Sequence, residues 1–427
     1  MLDRRAVVTG MEAITPAGLG IGALWEAVRE ARTCGGPVTG FDVSRNASQI
    51  IAAIPNFDPI ASGLTLEEVA RMDRVSQLAV VAARGAFQHA GLTADCLDPN
   101  RAGVLIGTAV GGVAFMEREF RRVCVPQEKR PDLVEVGDDL DPNTYGGFLA
   151  LSISSEVVRA LGLNGPTSTM ATGCTAGIDA IGAAEALIVS GMADVVITGG
   201  VDAPLTPIVL TAFDNIKALT RRNSDPQRAS RPFDRDRDGF LLAEGCGLLV
   251  LEEALHAQRR GAEVLGQVLG FASLSNAYHM TGLPADGEAL AATLRCALDR
   301  ARLNPDEVDY VNAHGSSTKQ NDRNETGALK RWLGERAYRV PVSSTKSVLG
   351  HSLGAASAIE TIVCLLAMAD GVVPPTANYE NPCPDCDLDY VPNAARDRRI
   401  NVAECNASGF SGIHSSLILG HSHLCPS

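Results

Sequence analysis

The sequence predicts a layered α/β fold in which a sheet is covered by helices on both faces. Three features carry this expectation: short β-branched runs that are apolar throughout, longer Ala-rich segments between them, and a similar rhythm in the two halves of the chain. Residues Ala6 to Thr9, Gly103 to Ile106, Ala193 to Thr198 and Val308 to Val311 read as strands. A strand with one wet face would alternate apolar and polar residues; these runs do not, so both faces are buried. The intervening segments supply the covering helices, which argues against a β-sandwich or a helix bundle. No clean sequence repeat is present, so duplication rests on the rhythm alone.

Composition sets the outer limits. A chain of 427 residues, 45% hydrophobic and 20% charged, suits two or three compact units or one large duplicated fold. A net charge of -13 disfavours a nucleic-acid surface, because phosphate contacts need clustered Lys and Arg. Eleven scattered cysteines, an odd number, point to a reducing compartment rather than a disulfide scaffold. Met1 to Gly10 lacks a signal-peptide core, and the most apolar window, Thr361 to Ala369, ends at Asp370 and Gly371. A cytoplasmic protein without a membrane span is expected. The charged stretches Arg221 to Gly239 and Arg121 to Asn143 read as excursions from the core, the second a surface insertion facing another subunit. Whether the tail Gly420 to Ser427 is ordered stays open.

The strongest local signal is Ser168-Thr-Met-Ala-Thr-Gly-Cys174-Thr-Ala-Gly, followed by a helical pattern with Ile181, Ala184, Leu187 and Ile188 in register up to Gly191. A cysteine at a helix start meets the positive end of the dipole and free backbone N–H groups, which lower a thiol pKa. The sequence therefore predicts an activated thiolate; the plain alternative is a small buried hydrophobe.

Two of the eight histidines have informative settings, Asn312-Ala-His314-Gly-Ser-Ser-Thr318 and Lys346-Ser-Val-Leu-Gly-His351-Ser. His314 ends a buried strand, where α/β proteins place function. His351 precedes an apolar helix whose positive end favours a neutral imidazole. Near the C-terminus Phe410 stands between Gly409 and Ser411-Gly412, which permits close backbone approach to a ligand. Taken singly, each of these is equally a loop or a turn.

Two signals are discounted. Cys383-Pro-Asp-Cys386 has zinc-knuckle spacing but no second pair nearby, so no metal is expected. The glycines of 10–20 and 107–112 lack the G-x-G-x-x-G spacing, so no dinucleotide cofactor is expected either.

Taken in order, the segments TGC174TAG, NAH314GSST, K346SVLGH351S and GF410SG resemble the β-ketoacyl synthase family over nearly the whole chain. Arg71-Met-Asp-Arg74, Thr206-Pro-Ile-Val, Arg231-Pro-Phe-Asp-Arg-Asp-Arg-Asp-Gly-Phe240, Asn276-Ala-Tyr-His-Met-Thr-Gly282, Gln320-Asn-Asp-Arg323 and Cys386-Asp-Leu-Asp-Tyr-Val-Pro392 narrow the likeness to ketosynthase alpha subunits of bacterial type II polyketide synthases. The resemblance implies a thiolase-like fold of duplicated halves in five α-β-α-β-α layers. Residues 1–260 would carry the nucleophile and residues 261–427 the histidines.

It further implies an acyltransferase that performs decarboxylative Claisen condensation of malonyl-acyl carrier protein with an acyl chain held on Cys174, giving an aromatic polyketide or a polyene. His314 and His351 would hold the enolate oxygen, and the amides of Cys174 and Phe410 the thioester oxygen. Lys346 would pair with Glu325 and organise both histidines. No cofactor is implied, since substrates arrive on the carrier's phosphopantetheine. The implied partners are an acyl carrier protein, docked near Arg71, Arg74, Arg221 and Arg222, and a chain-length factor in a heterodimer.

The chain departs from the family pattern at Ser411, Ile413 and His414 in the gate, at Ser317, and at Met170 and Ala171 before the nucleophile. Three other readings remain: a homodimeric 3-oxoacyl-[acyl-carrier-protein] synthase of fatty-acid elongation, a non-catalytic subunit that shapes a tunnel, and a thiolase. Cys174 with both histidines speaks against the last two.

Overall fold

The computed structural model describes residues 4–123, 140–284 and 286–424. Ten strands form the main sheet path. In the first half these are β1 (Ala6–Thr15), β2 (Ala102–Gly107), β3 (Thr167–Met170), β4 (Val195–Asp202) and β5 (Gly245–Glu253). The second half supplies β6 (Gly266–Ser275), β7 (Tyr310–Asn312), β8 (Val342–Ser343), β9 (Val402–Ser408) and β10 (Ile413–His421). A short strand, Gly18–Leu19, also pairs with β1.

The spatial order is β3-β2-β4-β5-β1 in the first half and β8-β7-β9-β10-β6 in the second, the same permutation of first to fifth strand. Directions repeat too. The second strand runs parallel to the third and fourth, and the fifth runs antiparallel to the fourth and first. The halves meet where Val7 faces Gln267 and Val8 faces Gly266 across β1 and β6. The suspected duplication is therefore a repeat of topology.

Two buried helices occupy the middle layer, α2 (Ala176–Val189) and α5 (Ala356–Asp370); each packs against strands of both halves. Their small residues allow close approach: a Cβ at Gly177 would lie 2.8 Å from the Ala358 Cβ. The outer layers hold α1 (Arg74–His89) on the first half, and α3 (Glu288–Ala301) backed by α4 (Lys319–Leu333) on the second. The layers thus run α-β-α-β-α. The segment Leu353–Asp370 has the length and apolarity of a membrane span, but 83% of it is buried as the central helix of the fold.

The four expected strands are present with shifted ends. The third begins at Val195, because Asp194 turns outward to bind Arg4 and Arg101. The fourth begins at Tyr310, after a short turn at Pro305–Glu307. The stretch Arg221 to Gly239, expected to be too charged for the interior, buries Arg231, Asp234 and Arg237. They stay inside because their charges are satisfied: Asp234 accepts from the amides of Asp236, Glu380 and Asn381, and Arg237 pairs with Asp322. The insertion expected at Arg121 to Asn143 falls largely outside the described residues. The tail forms strand to His421 and a turn at Ser422–Leu424, with 425–427 outside the described residues.

Candidate active site

Cys174 sits in a single tight turn, Gly173–Thr175, between the end of β3 and the start of α2. Gly173 has φ +70°, a left-handed conformation that favours glycine. Asp179, one turn into α2, accepts from the hydroxyls of Thr172 (2.5 Å), Thr175 (2.7 Å) and, across the fold, Ser415 (2.6 Å). The turn that carries Cys174 is thereby fixed to β10 of the other half.

Burial pushes the Cys174 thiol up to about 11, although the positive charge of Lys346 and the backbone N–H groups of Phe410 and Cys174 pull it down. This corrects the expected thiolate. A helix start visible in sequence favours the anion, but the walls that exclude water come from distant segments and outweigh it.

His314 lies two residues beyond β7, and His351 forms a parallel bridge with Leu242, its N–H donating to Leu241 O (2.7 Å) while its carbonyl accepts from Ala243 N–H (3.0 Å). Their rings meet edge to face with centroids 5.2 Å apart. Burial, reinforced by the charge of Lys346, drives both imidazoles well below the ordinary histidine value, so both are neutral. The Nδ1 atom of each is buried and has no hydrogen-bond partner among the described residues.

Lys346 does not pair with Glu325. Its Nζ donates to Glu360 Oε1 at 2.6 Å, and both side chains are 2% exposed. Glu325 instead accepts from the amides of His314 (2.7 Å) and Gly315 (2.8 Å), so it shapes the histidine loop. Burial raises both carboxyls to about 7, with Lys346 opposing in each case. Glu360 escaped the sequence reading, yet it left a signal: it is a lone acid within an otherwise apolar run, and a buried charge needs a partner.

Phe410 opens the loop between β9 and β10 and is 38% exposed. It approaches Phe213 (6.2 Å between centroids), which meets Phe240 (5.3 Å), which in turn meets His351 (5.2 Å). An aromatic path thus leads from the surface to the histidines. Together Cys174, Phe213, Phe240, His314, His351 and Phe410 line one cavity. Nothing in the sequence pointed to Phe213.

The unusual residues have structural settings. Ser411 and Ser317 adopt φ +71° and +67°, both in the left-handed region. The Ser411 amide donates to Met280 O (2.5 Å), and the Ser317 hydroxyl accepts from the Arg231 amide (3.0 Å). His414 is buried at the base of the gate, bonded to Ser408 Oγ through Nδ1 (2.8 Å) and to Asn276 through Nε2 (3.3 Å). Asp202, also missed, accepts from Thr108 Oγ1 and the amides of Ala109, Val110 and Gly354, joining the first half to the segment after His351.

The four candidate docking arginines divide. Arg71 forms a two-pronged pair with Glu156 (3.0 and 2.9 Å) and Arg74 another with Glu244 (2.7 and 2.8 Å). Among the described residues Arg221 is exposed and makes no side-chain ion pair, while the half-buried Arg222 donates to the Asp236 carbonyl at 3.5 Å.

Comparison with known proteins covers nearly the whole chain. Residues 3–257 match the family described as "Beta-ketoacyl synthase, N-terminal domain", and residues 265–380 match its C-terminal domain. The "Tetracenomycin polyketide synthase ketoacyl synthase alpha subunit" of Streptomyces glaucescens is 47% identical, with 98% of this chain and 97% of that protein aligned. A 3-oxoacyl-[acyl-carrier-protein] synthase 2 of Synechocystis is 40% identical, with 97% of each aligned. Among solved structures, a type II ketosynthase in complex with its acyl-carrier protein and bound to the hexaketide superposes with TM-score 0.90 at 39% identity, covering 98% of this chain and all of that one. The ishigamide ketosynthase/chain length factor superposes with TM-score 0.88 at 34% identity, covering 98% and 99%.

Proposed function

The chain belongs to the β-ketoacyl synthase family and is an acyltransferase, a ketosynthase alpha subunit of the type II polyketide kind; from that premise we propose how its own residues divide the reaction. The observation that carries the proposal is the convergence of Cys174, His314, His351 and the Phe410 amide on one cavity.

In the first step the Cys174 sulfur bonds to the acyl carbonyl carbon, and the carrier's thiol departs with the proton that the cysteine gives up. The amides of Cys174 and Phe410 flank the sulfur and would bind the oxyanion that forms there. Malonyl carrier protein then loses carbon dioxide, and the electron pair moves onto the thioester oxygen. Neutral imidazoles of His314 and His351 donate N–H hydrogen bonds to that enolate without quenching it. The enolate carbon attacks the acyl-cysteine carbonyl, a carbon–carbon bond forms, and the Cys174 sulfur leaves as thiolate and takes a proton from water.

Lys346 and Glu325 are positioning residues here. Burial keeps both imidazoles uncharged, the positive charge of Lys346, held in place by Glu360, adds to that, and Glu325 holds the His314 loop by its amides. Phe410 is the gate through which substrates reach Cys174. The division at residue 260 would assign the nucleophile to one half and the histidines to the other. A carrier protein and a chain-length factor homologue are the proposed partners, with Arg221 and Arg222 as carrier contacts, and the cytoplasm is the proposed location.

The test is intact-protein mass spectrometry after incubation with an acyl carrier protein thioester, alone and with any co-encoded homologue. A Cys174-dependent acyl adduct that lengthens on addition of malonyl carrier protein supports the assignment. Absence of an adduct in both settings favours the tunnel-shaping reading.

A further inference from the structure

Cys383 and Cys386 take no part in the chemistry above. They stand at the two ends of the surface turn Cys383-Pro-Asp-Cys386, closed by a hydrogen bond from the Cys386 amide to the Cys383 carbonyl (2.9 Å). The two residues also pair as an isolated antiparallel bridge. A four-residue turn of this kind holds its first and last Cα atoms within about 7 Å. A disulfide spans Cα atoms about 4.4–6.8 Å apart, so the backbone is already near bridging distance. Both thiols are free; Cys383 is 9% and Cys386 0% exposed, and both belong to the hydrophobic core under a turn whose Pro384 and Asp385 are exposed, so exchange takes place as this turn opens.

The pair is chemically unequal. Arg237 Nη1 donates to the Cys383 sulfur at 3.4 Å, and this guanidinium is itself anchored on Asp322 and on the carbonyls of Asp234, Thr318 and Lys319. Burial works to raise the Cys383 thiol, but the Arg237 hydrogen bond and the backbone N–H of Asp385 bring it below the ordinary thiol range. Burial pushes Cys386 upward. One sulfur is thus prepared to attack and its neighbour to resolve, as a dithiol exchange requires.

We propose that Cys383 and Cys386 form a thiol–disulfide modification site whose co-reactant is a small organic disulfide of the oxidised-glutathione class. The Cys383 thiolate attacks one sulfur of that disulfide, forming a mixed disulfide and expelling one thiolate, which takes a proton from water. Cys386 then loses its proton to water and attacks the Cys383 sulfur. The intramolecular bond forms and the second small thiol leaves. Two protein thiols are oxidised and one external disulfide is reduced to two thiols, so electrons balance.

The experiment incubates the folded full chain with oxidised glutathione and maps the peptides by mass spectrometry. The wild type is expected to lose two hydrogens on the peptide holding residues 383 and 386. Cys386→Ser should instead retain a glutathionyl adduct on Cys383, and Cys383→Ser should carry neither product on that peptide. A Cys174→Ala background removes the active-site cavity's own thiol from the comparison. The proposal is overturned if both thiols still take up maleimide when the treated chain is unfolded for labelling, if the bridge forms only when oxidised glutathione is added in urea, or if Cys383→Ser and Cys386→Ser trap adducts equally.

Discussion

Lys346 Nζ is bonded to Glu360 Oε1 at 2.6 Å, and the pair sits almost wholly out of solvent, its lysine charge felt by His314 and His351. Removing one member strands the other charge. Glu360→Gln should destabilise the fold by about 3–5 kcal/mol, whereas the double change Lys346→Met with Glu360→Leu should come closer to neutral. Urea denaturation of both variants measures this. Equal losses would show that the site depends on the lysine's own packing rather than on charge pairing.

Because burial holds the Cys174 thiol at about 11, resting enzyme should react slowly with iodoacetamide at neutral pH. The alkylation rate should then climb about tenfold per pH unit between about pH 7 and 10 without a plateau. A plateau at or below about pH 8 would mean that the helix start and the two amides outweigh burial after all.

Both imidazoles are neutral at physiological pH, so malonyl decarboxylation should be flat from about pH 6.5 upward. Cys174→Gln isolates this step, since it removes condensation and leaves the enolate site in place. In that background His351→Ala should lower the decarboxylation rate by about 10²–10³, the scale of one lost oxyanion donor. A rate that falls off as an imidazolium titrates would reverse the donor assignment.

Glu404 is buried on β9, bonded to Ser416 and Asn406, and burial raises its carboxyl from 4.5 to about 8. The native state therefore holds this proton when the unfolded chain has released it. The contribution to stability is complete below the unfolded value and is lost as pH rises through the folded one. Melting temperature should decline from about pH 5 to about pH 8 more steeply in wild type than in Glu404→Gln. Parallel curves would place the pH dependence elsewhere.

Arg71 and Arg74 are tied within the chain, whereas Arg221 and Arg222 are freer. Arg221→Glu with Arg222→Glu should weaken carrier-protein affinity about tenfold and flatten its salt dependence, with stability unchanged. Arg71→Glu should lower stability first. Calorimetric titration beside thermal melting separates the two; a loss of affinity confined to Arg71→Glu would relocate the docking face.

Much of the site was legible because its chemistry lies in short contiguous segments. The glycine before Cys174 and the helix after it, the strand before His314 and the glycines around Phe410 are local patterns, and the fold kept each in its expected place. The strand runs were legible for the same reason, with ends displaced where Asp194 and Pro305–Glu307 needed other conformations. Less legible were contacts between segments. Phe213 reaches Phe410 from nearly two hundred residues away, and nothing in its neighbourhood marks it.

The sequence by itself determined the layered α/β class and the candidate residues Cys174, His314, His351, Lys346 and Phe410, since residue type and near-neighbour spacing specify secondary structure and short motifs. Tertiary structure alone decided that Lys346 answers to Glu360 and not Glu325, that the thiol is held up rather than down, and that Arg71 and Arg74 are already occupied. Those outcomes depend on through-space distance and on exclusion of water, which segments far apart in the chain create only when they pack together.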